Sequence, residues 1–419
     1  MTALVLHYRK TSRFGLNALL GAVEQDPRTR ALPATAAFGL DAAVAAARAA
    51  LAEGRRPVVG WSFLTASLAE VTAELAAFRA ALHDPRVLHV AGGPHPSADP
   101  EGTLRAGFDL AARGEGERTL PALLVAAGEG RPPQGVPGLA WLEGGALRTS
   151  GRAEVPDLDA LPPFALRAGR LGPIELTRGC VWGCRFCHTP FLFKARWRHR
   201  SLAAVLRAVE ELARREARDV RFLTPSALSY GSPGEGVDLD AVEALLAGAR
   251  ERIGPAGRIF FGTFPSELRP EHVSPRALAL VARYCDNRAV ILGGQSGSDR
   301  MLEAMGRGHD AASVERAAAL AVEAGLEPSV DLVFGFPGEE EADREATRGL
   351  ASRLAALGAK VHAHAFMPLP GTPWAGAAPA SIDGATRLLL DRLASAGRAH
   401  GAWKAQEKLA HTQKVMPVN

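Results

Sequence analysis

The chain has 419 residues, 47% of them hydrophobic, and 49 Lys and Arg against 45 Asp and Glu give a net charge of +4. That length allows two domains with sizeable cores. No run of some eighteen apolar residues occurs, and the basic residues are spread through Ala-rich stretches, so a membrane span and a nucleic-acid footprint are both disfavoured.

Residues 1–145 alternate short apolar runs with amphipathic Ala-rich segments. Ala3–Leu6, Pro57–Ser62 and Val87–Ala91 read as strands, and Leu40–Ala52 and Ser67–Leu82 as helices. Such alternation predicts a doubly wound, Rossmann-like parallel sheet, in which ligands bind beyond the carboxyl ends of the strands. The turns there are Ser62-Phe63-Leu64-Thr65, Gly92-Gly93-Pro94-His95 and Gly114-Glu115-Gly116-Glu117. Residues 146–172 are rich in Gly, Pro and small residues and read as an interdomain linker.

A second domain is expected over 173–375. Strands are predicted at Ile174–Thr177, Val220–Thr224, Arg258–Thr263, Ala289–Gly293, Ser329–Phe334 and Lys360–Phe366, separated by helical segments. Six parallel strands with right-handed crossovers predict an open barrel with its chemistry at the strand carboxyl ends. Residues 376–419 read as a C-terminal helical segment, with a helix near Ser381–Ala396 and no motif.

Three of the four cysteines fall within eight residues, at Cys180, Cys184 and Cys187, directly after the first strand of this second domain. A disulfide framework wants an even number of dispersed cysteines, whereas thiols this close converge on one object, a metal centre. Zinc would need His188 as its fourth ligand, adjacent to Cys187 and poorly placed to close a tetrahedron. An iron-sulfur cluster with one open iron needs only the three thiolates. Gly179 and Gly183 mark a loop, which argues against packed core thiols.

The Cys-x-x-x-Cys-x-x-Cys spacing, with Phe186 before the last cysteine, resembles the radical S-adenosylmethionine (SAM) superfamily. The resemblance implies a partial (β/α)6 barrel and a 4Fe-4S cluster held by the three cysteines, with SAM on the fourth iron. Gln295, Ser296 and Ser298, in Leu292-Gly293-Gly294-Gln295-Ser296-Gly297-Ser298, resemble the fourth-strand motif that contacts SAM. Gly335, in Asp331-Leu332-Val333-Phe334-Gly335-Phe336-Pro337-Gly338-Glu339, resembles the fifth-strand motif beside adenine, and Met367–Pro373 resembles the sixth-strand ending. A hydrolase elbow, Gly-x-Ser-x-Gly, fails in the same stretch because Ser298 stands where its second glycine would be.

The three turns of the first domain resemble, in order, the cobalamin-binding domain that precedes the barrel in one subgroup of this superfamily. Ser62, Thr65, Gly92, Gly93, Glu115 and Glu117 would line the corrin. The Asp-x-His-x-x-Gly loop that supplies a histidine to cobalt is missing, and His7 lies outside that frame, so cobalamin is expected without a histidine ligand. The resemblance implies methylation of an unactivated carbon or a phosphinate phosphorus of a small molecule, with flavodoxin or ferredoxin as electron donor. A non-methylating cyclisation, dehydrogenation or rearrangement is the alternative chemistry, and a cluster-bearing scaffold or regulatory protein the alternative class. A cytoplasmic location is expected, since oxygen destroys such clusters.

Further candidates come from placement alone. Glu267 and Arg269 follow the third strand at the barrel mouth, where a carboxylate could bind the SAM amino group or ribose. His362 and His364 alternate on the sixth strand and share a face, as a substrate contact or proton acceptor would. Tyr230 follows the second strand, Lys194–Arg200 is a basic stretch suited to an anionic substrate or a reducing partner and equally to the solvated lead-in of a helix capped by Ser201, and Cys285 reads as a structural thiol.

Overall fold

The computed structural model describes residues 1–412 and separates into two compact units, Met1–Gly172 and a second beginning at Pro173. The first is built on one seven-stranded sheet: β1 (Thr2–Tyr8), β2 (Ala34–Phe38), β3 (Arg56–Ser62), β4 (Leu88–Gly92), β5 (Leu110–Ala112), β6 (Leu139–Glu143) and β7 (Ala146–Thr149). Its strand order is β2-β1-β3-β4-β5-β6-β7, with the first five strands parallel and the last two antiparallel. The order reverses between β1 and β3, which opens a crevice beyond their carboxyl ends.

Both faces of this sheet are covered, which is why its strands read as continuous apolar runs. Leu4 and Leu6 of β1 point to one side, into a core with Leu16 and Leu20 of helix Arg13–Gln25 and Leu123 and Leu124 of helix Gly116–Gly128. Val5 points to the other, with Val59 and Trp61 of β3, Ala43 and Ala47 of helix Leu40–Ala52, and Leu75 and Phe78 of helix Leu68–Ala81. Helix Arg13–Gln25, β2 and the β6–β7 hairpin were not anticipated from the sequence.

The segment 146–172 departs from the linker expectation. Its start is β7, paired with β6 from Ala140↔Thr149 to Glu143↔Ala146. Leu158, Leu161, Phe164 and Ala165 are then buried, and the Glu24 carboxylate accepts from the backbone N–H groups of Arg167 (2.9 Å) and Ala168 (2.7 Å). Asn17 Nδ2 donates to the Leu171 carbonyl at 3.1 Å. Gly and Pro mark these turns, but widely spaced apolar residues fasten them to the first unit.

The second unit contains β8 (Ile174–Glu175), β9 (Thr177–Arg178), β10 (Arg198–His199), β11 (Asp219–Leu223), β12 (Arg258–Phe260), β13 (Ala289–Gln295), β14 (Glu327–Phe334), β15 (Lys360–Ala365) and β16 (Ala399–His400). Parallel sheets β12-β11-β8 and β13-β14-β15-β16 are joined through parallel bridges, Thr224↔Ser266 and Leu268↔Leu292, and β9 pairs antiparallel with β10. The result is an open barrel of six main strands, with helices such as Leu202–Arg214, Leu239–Ile253, Ala311–Glu323 and Glu341–Ala356 between them. Ser201, Asp238, Ser274, Ser298, Asp310 and Asp383 each accept a backbone N–H at a helix start.

The C-terminal segment is more than helical. After helix Gly384–Ser395 the chain forms β16, which extends the sheet beside β15, and then helix Trp403–Thr412. A two-residue strand leaves no periodic signal in a sequence. Residues 413–419 lie outside the described residues.

Two stability measurements follow. Phe164→Ala, at a side chain 1% exposed, is expected to cost the first unit roughly 3–5 kcal/mol in chemical denaturation; a loss below about 1 kcal/mol would mean that 146–172 is not part of its core. Burial lowers the pKa of His7, 1% exposed, to about 4. The unfolded chain therefore takes up the proton first, so stability present above about pH 6.5 is lost as pH falls towards 4, by up to about 1.4 kcal/mol per pH unit. His7→Phe should flatten that loss, and an unchanged slope would count against a buried neutral His7.

Candidate functional site

The three thiols sit on the loop between β9 and helix His188–Leu192, whose N-cap is Cys187. Cys187 N–H donates to the Cys184 carbonyl at 3.1 Å, and Arg185 N–H to the Met305 carbonyl at 2.9 Å, which ties the loop to the segment after β13. Gly179 makes the turn at φ +87°, and a Cβ there would stand 2.0 Å from the Arg196 carbonyl oxygen, so no other residue fits. Phe186 packs edge-on against Phe336 at 5.7 Å, within an apolar cluster including Met301, Met305 and Phe366. His188, the fourth ligand a zinc site would need, is held at 2.8 Å from the Pro370 carbonyl through Nε2.

Burial raises the Cys180 thiol to about 12 and pushes Cys187 up as well, so neither is ionised until a metal takes the place of its proton. The compensating charge is buried beside them. Arg307 donates from Nη1 to Cys184 Sγ at 3.6 Å and from Nη2 to the Gly293 carbonyl at 2.6 Å. Burial acts against its charge, but Cys184 and Glu267 keep its pKa above the usual arginine value. Arg269 stacks on the Trp182 ring at 3.8 Å and donates to the Arg307 carbonyl, with Glu271 as its ion-pair partner.

Glu267 was placed by sequence at the mouth of the barrel, and it stands within electrostatic reach of Cys187, Arg307 and Asp331. Desolvation raises it to about 7, against the pull of Arg307. Gly293 explains how these groups share one space. A Cβ at Gly293 would lie 2.9 Å from Arg307 Nη2, 3.1 Å from Glu267 Oε2 and 3.2 Å from Gln295 Nε2. A guanidinium, a carboxylate and an amide thus line a cradle that a side chain would fill. Gln295 reaches it with a left-handed backbone, φ +69°, which a non-glycine residue adopts only under constraint.

The other sequence-predicted residues divide. Ser296 Oγ lies 3.1 Å from Thr347 Oγ1, and Ser298 Oγ donates to Asp343 Oδ1 at 2.5 Å while capping helix Asp299–Ala304. Both hydroxyls are committed to holding helix Glu341–Ala356, so of the three motif residues Gln295 alone puts its side chain in the cradle. Tyr230 is buried and donates to the Arg200 carbonyl at 3.0 Å. Gly335 follows β14, where its N–H donates to Glu339 Oε2 at 3.1 Å, and burial raises Glu339 to about 7. His362 and His364 do face one way, and they meet Asp331, a residue whose role the sequence did not single out.

In the first unit the expected turns all lie at the carboxyl edge of the parallel strands. Ser62 ends β3, Gly92 ends β4, and Gly93 begins helix Pro94–Ala98 with the Ser62 hydroxyl close by. Thr65 is buried, its Oγ1 3.1 Å from His95 Nδ1. Glu115 is the N-cap of helix Gly116–Gly128, and Glu117 is buried in its first turn. His7 is packed against the Trp61 ring at 4.3 Å.

Comparison with known proteins agrees with both units. The Radical SAM superfamily profile matches residues 174–351, and the B12 binding domain profile matches residues 9–124. A tRNA-2-methylthio-N(6)-dimethylallyladenosine synthase of Chlorobium phaeovibrioides is 33% identical over 246 residues, covering 58% of this chain and 50% of that protein. An uncharacterized methyltransferase of Pyrococcus horikoshii is 29% identical over 294 residues, covering 64% and 58%. The chain thus spans about half the length of the curated relatives it matches.

Among solved structures, the radical SAM methyltransferase TsrM of Kitasatospora setae, with cobalamin and a 4Fe-4S cluster bound, superimposes with a TM-score of 0.68 at 20% identity, covering 89% of this chain and 74% of that one. The cobalamin-dependent radical enzyme OxsB gives 0.65 at 16% identity, covering 84% and 52%. At these identities the likeness is one of fold.

Cys184→Ala is expected to lower iron and sulfide after anaerobic reconstitution from about four of each per chain to background. Cys285→Ala, at a thiol that burial raises to about 12, should retain both, and equal loss in the two variants would refute the loop as the metal centre.

Proposed function

We propose that this chain, which belongs to the radical SAM superfamily and carries a B12-binding domain ahead of its radical SAM domain, is a cobalamin-dependent methyltransferase acting on an unactivated carbon of a small molecule. The observation that carries this reading is the pair of cradles. One is the three-thiol loop with Arg307 buried against it, and the other is the carboxyl edge of the first unit's parallel strands, where Ser62 ends β3, Gly92 ends β4 and Gly93 leads into a helix.

When bound, the cluster supplies one electron to split SAM into a 5'-deoxyadenosyl radical, and the corrin supplies a transferable methyl group. The protein contributes binding, charge and proton handling. Cys180, Cys184 and Cys187 would hold three irons, and Arg307 would help offset the thiolate charge. Glu267 and the Gln295 amide, in the Gly293 cradle, are suited to the amino and carboxylate groups of SAM, and the Gly335 backbone, just after β14, would flank the adenine. Ser62, Thr65, Gly92, Gly93, Glu115 and Glu117 border the corrin crevice. His362 and His364, joined to Asp331, present a polar wall to the substrate.

A small substrate suits this polar wall, which is imidazole and carboxylate where a nucleic-acid surface would be Lys and Arg. Among the described residues no helix is long and apolar enough to cross a membrane. A flavodoxin or ferredoxin as electron donor and a reducing cytoplasm belong to the same reading.

Anaerobic chain loaded with cluster and cobalamin, given SAM carrying a labelled methyl group and a reductant, is expected to form 5'-deoxyadenosine and S-adenosylhomocysteine and to pass label to cobalamin. Deoxyadenosine without labelled cobalamin would sink methylation in favour of a cyclisation, dehydrogenation or rearrangement. No SAM consumption at full cluster loading would sink the enzyme reading and leave a scaffold.

A further inference from the structure

Apart from the thiol loop, one set of donors in the second unit converges on a point. Asp331 of β14 and His362 of β15 are register partners on neighbouring parallel strands, and His364 follows two residues on, with buried Ala363 between the two histidines. All three side chains leave the same face of the sheet. On the opposite face, Val330 lies with Val314 of helix Ala311–Glu323 against Gly294. Among the described residues, Asp331, His362 and His364 form a group whose ligating atoms all lie within 4.8 Å of one another.

The distances fit a metal ion. His362 Nδ1 lies 2.8 Å from Asp331 Oδ1 and 3.1 Å from His364 Nε2, and His364 Nε2 lies 3.9 Å from the same oxygen. A triangle with those edges has a centre about 2.0 Å from each corner, close to the bond lengths of zinc to imidazole nitrogen and carboxylate oxygen. An ion near that centre has the three donors almost in one plane with it, Asp331 and His364 nearly opposite each other, and positions open on either side of that plane.

Protons serve this set poorly. A proton on His362 Nδ1 has to answer a carboxylate and a second imidazole lone pair together, whereas one cation satisfies all three donors. Support around the set is also present. The His400 ring stacks on His362 at 4.5 Å, and Gln406 places Nε2 at 3.4 Å from His364 Nδ1 while its Oε1 accepts from Ala365 N–H at 2.9 Å. With a metal on Nε2, His364 carries its proton on Nδ1, which the 3.4 Å contact with Gln406 Nε2 is too long to oppose strongly, while Gln406 Oε1 keeps its bond to Ala365 N–H.

We infer that Asp331, His362 and His364 bind a divalent transition-metal ion of the zinc(II) or iron(II) class, with its open positions available to water or to a substrate donor group. Two imidazoles and one carboxylate are a ligand set for either ion, and differ in softness from the thiolates that hold an iron-sulfur cluster. An ion there acts as a Lewis acid that orients a substrate amine or carboxylate and lowers the pKa of what it binds. This inference stands on the geometry of three residues and is independent of whether the chain transfers methyl groups.

The test uses the full chain after anaerobic reconstitution, when the cysteines are occupied by iron. It is incubated with Zn²⁺, passed into metal-free buffer, and its zinc, iron and sulfide are counted. About one zinc per chain is expected in the unsubstituted protein, falling at least tenfold in Asp331→Asn and His362→Gln with iron and sulfide unchanged. His400→Gln, beside the set but outside it, should keep its zinc. Co²⁺ in place of zinc should give d–d bands that His362→Gln removes, which reads the ligands directly even if a variant is less stable. Zinc retained equally by all variants, zinc that displaces iron, or no retained zinc in the unsubstituted chain would each overturn the inference.

Discussion

A buried positive charge beside three thiols is the constraint from which the architecture of the second unit follows. Buried thiols give up their protons only against compensating positive charge, and the protein's own share of it is Arg307, donating to Cys184 Sγ and anchored on the Gly293 carbonyl. That anchor fixes the end of β13 against the cysteine loop, and the Arg185 N–H bond to the Met305 carbonyl closes the same joint from the other side. Once Arg307 is in place, Glu267 has a cation to face, and Gly293 has to lack a side chain so that guanidinium, carboxylate and amide can share one space. The strained backbone of Gln295 is tolerated for the same reason, since packing on every side holds it.

What the sequence disclosed depended on the range over which each signal acts. The cysteine spacing and the strand-helix alternation are local, and the main strands lie where periodicity put them, from Ile174 to Lys360. Caps were legible for the same reason, as with Ser201. Partners remote in sequence were not. Tyr230 looked available because it follows a strand, but its hydroxyl is taken by the Arg200 carbonyl thirty residues away. Ser296 and Ser298 lie in a stretch that resembles a SAM-contacting motif, yet Thr347 and Asp343, some fifty residues on, claim their hydroxyls.

The segment 146–172 shows the same limit in reverse. Proline and glycine describe its turns correctly, but composition does not record that Phe164 is buried or that Glu24 receives two of its backbone N–H groups. Turn chemistry reports how a chain bends and leaves open what it bends around.

The far edge of the second unit then explains where chemical individuality enters. The thiol loop and its arginine impose the same demands whatever the substrate is. The C-terminal segment carries no motif, but it is firmly attached: β16 pairs with β15, Gln406 accepts from Ala365 N–H, and Glu407 accepts from Ile382 N–H while pairing with Arg387. Through Gln406 and the stacked His400 it braces His364 and His362, the side chains that form the polar wall with Asp331. That edge still communicates with the thiol site, since Asp331 acts electrostatically on Glu267. The cysteine spacing is a local signal and could be read from the sequence, whereas Asp331, His362, His364, His400 and Gln406 come together only through strand pairing and a helix that follows it.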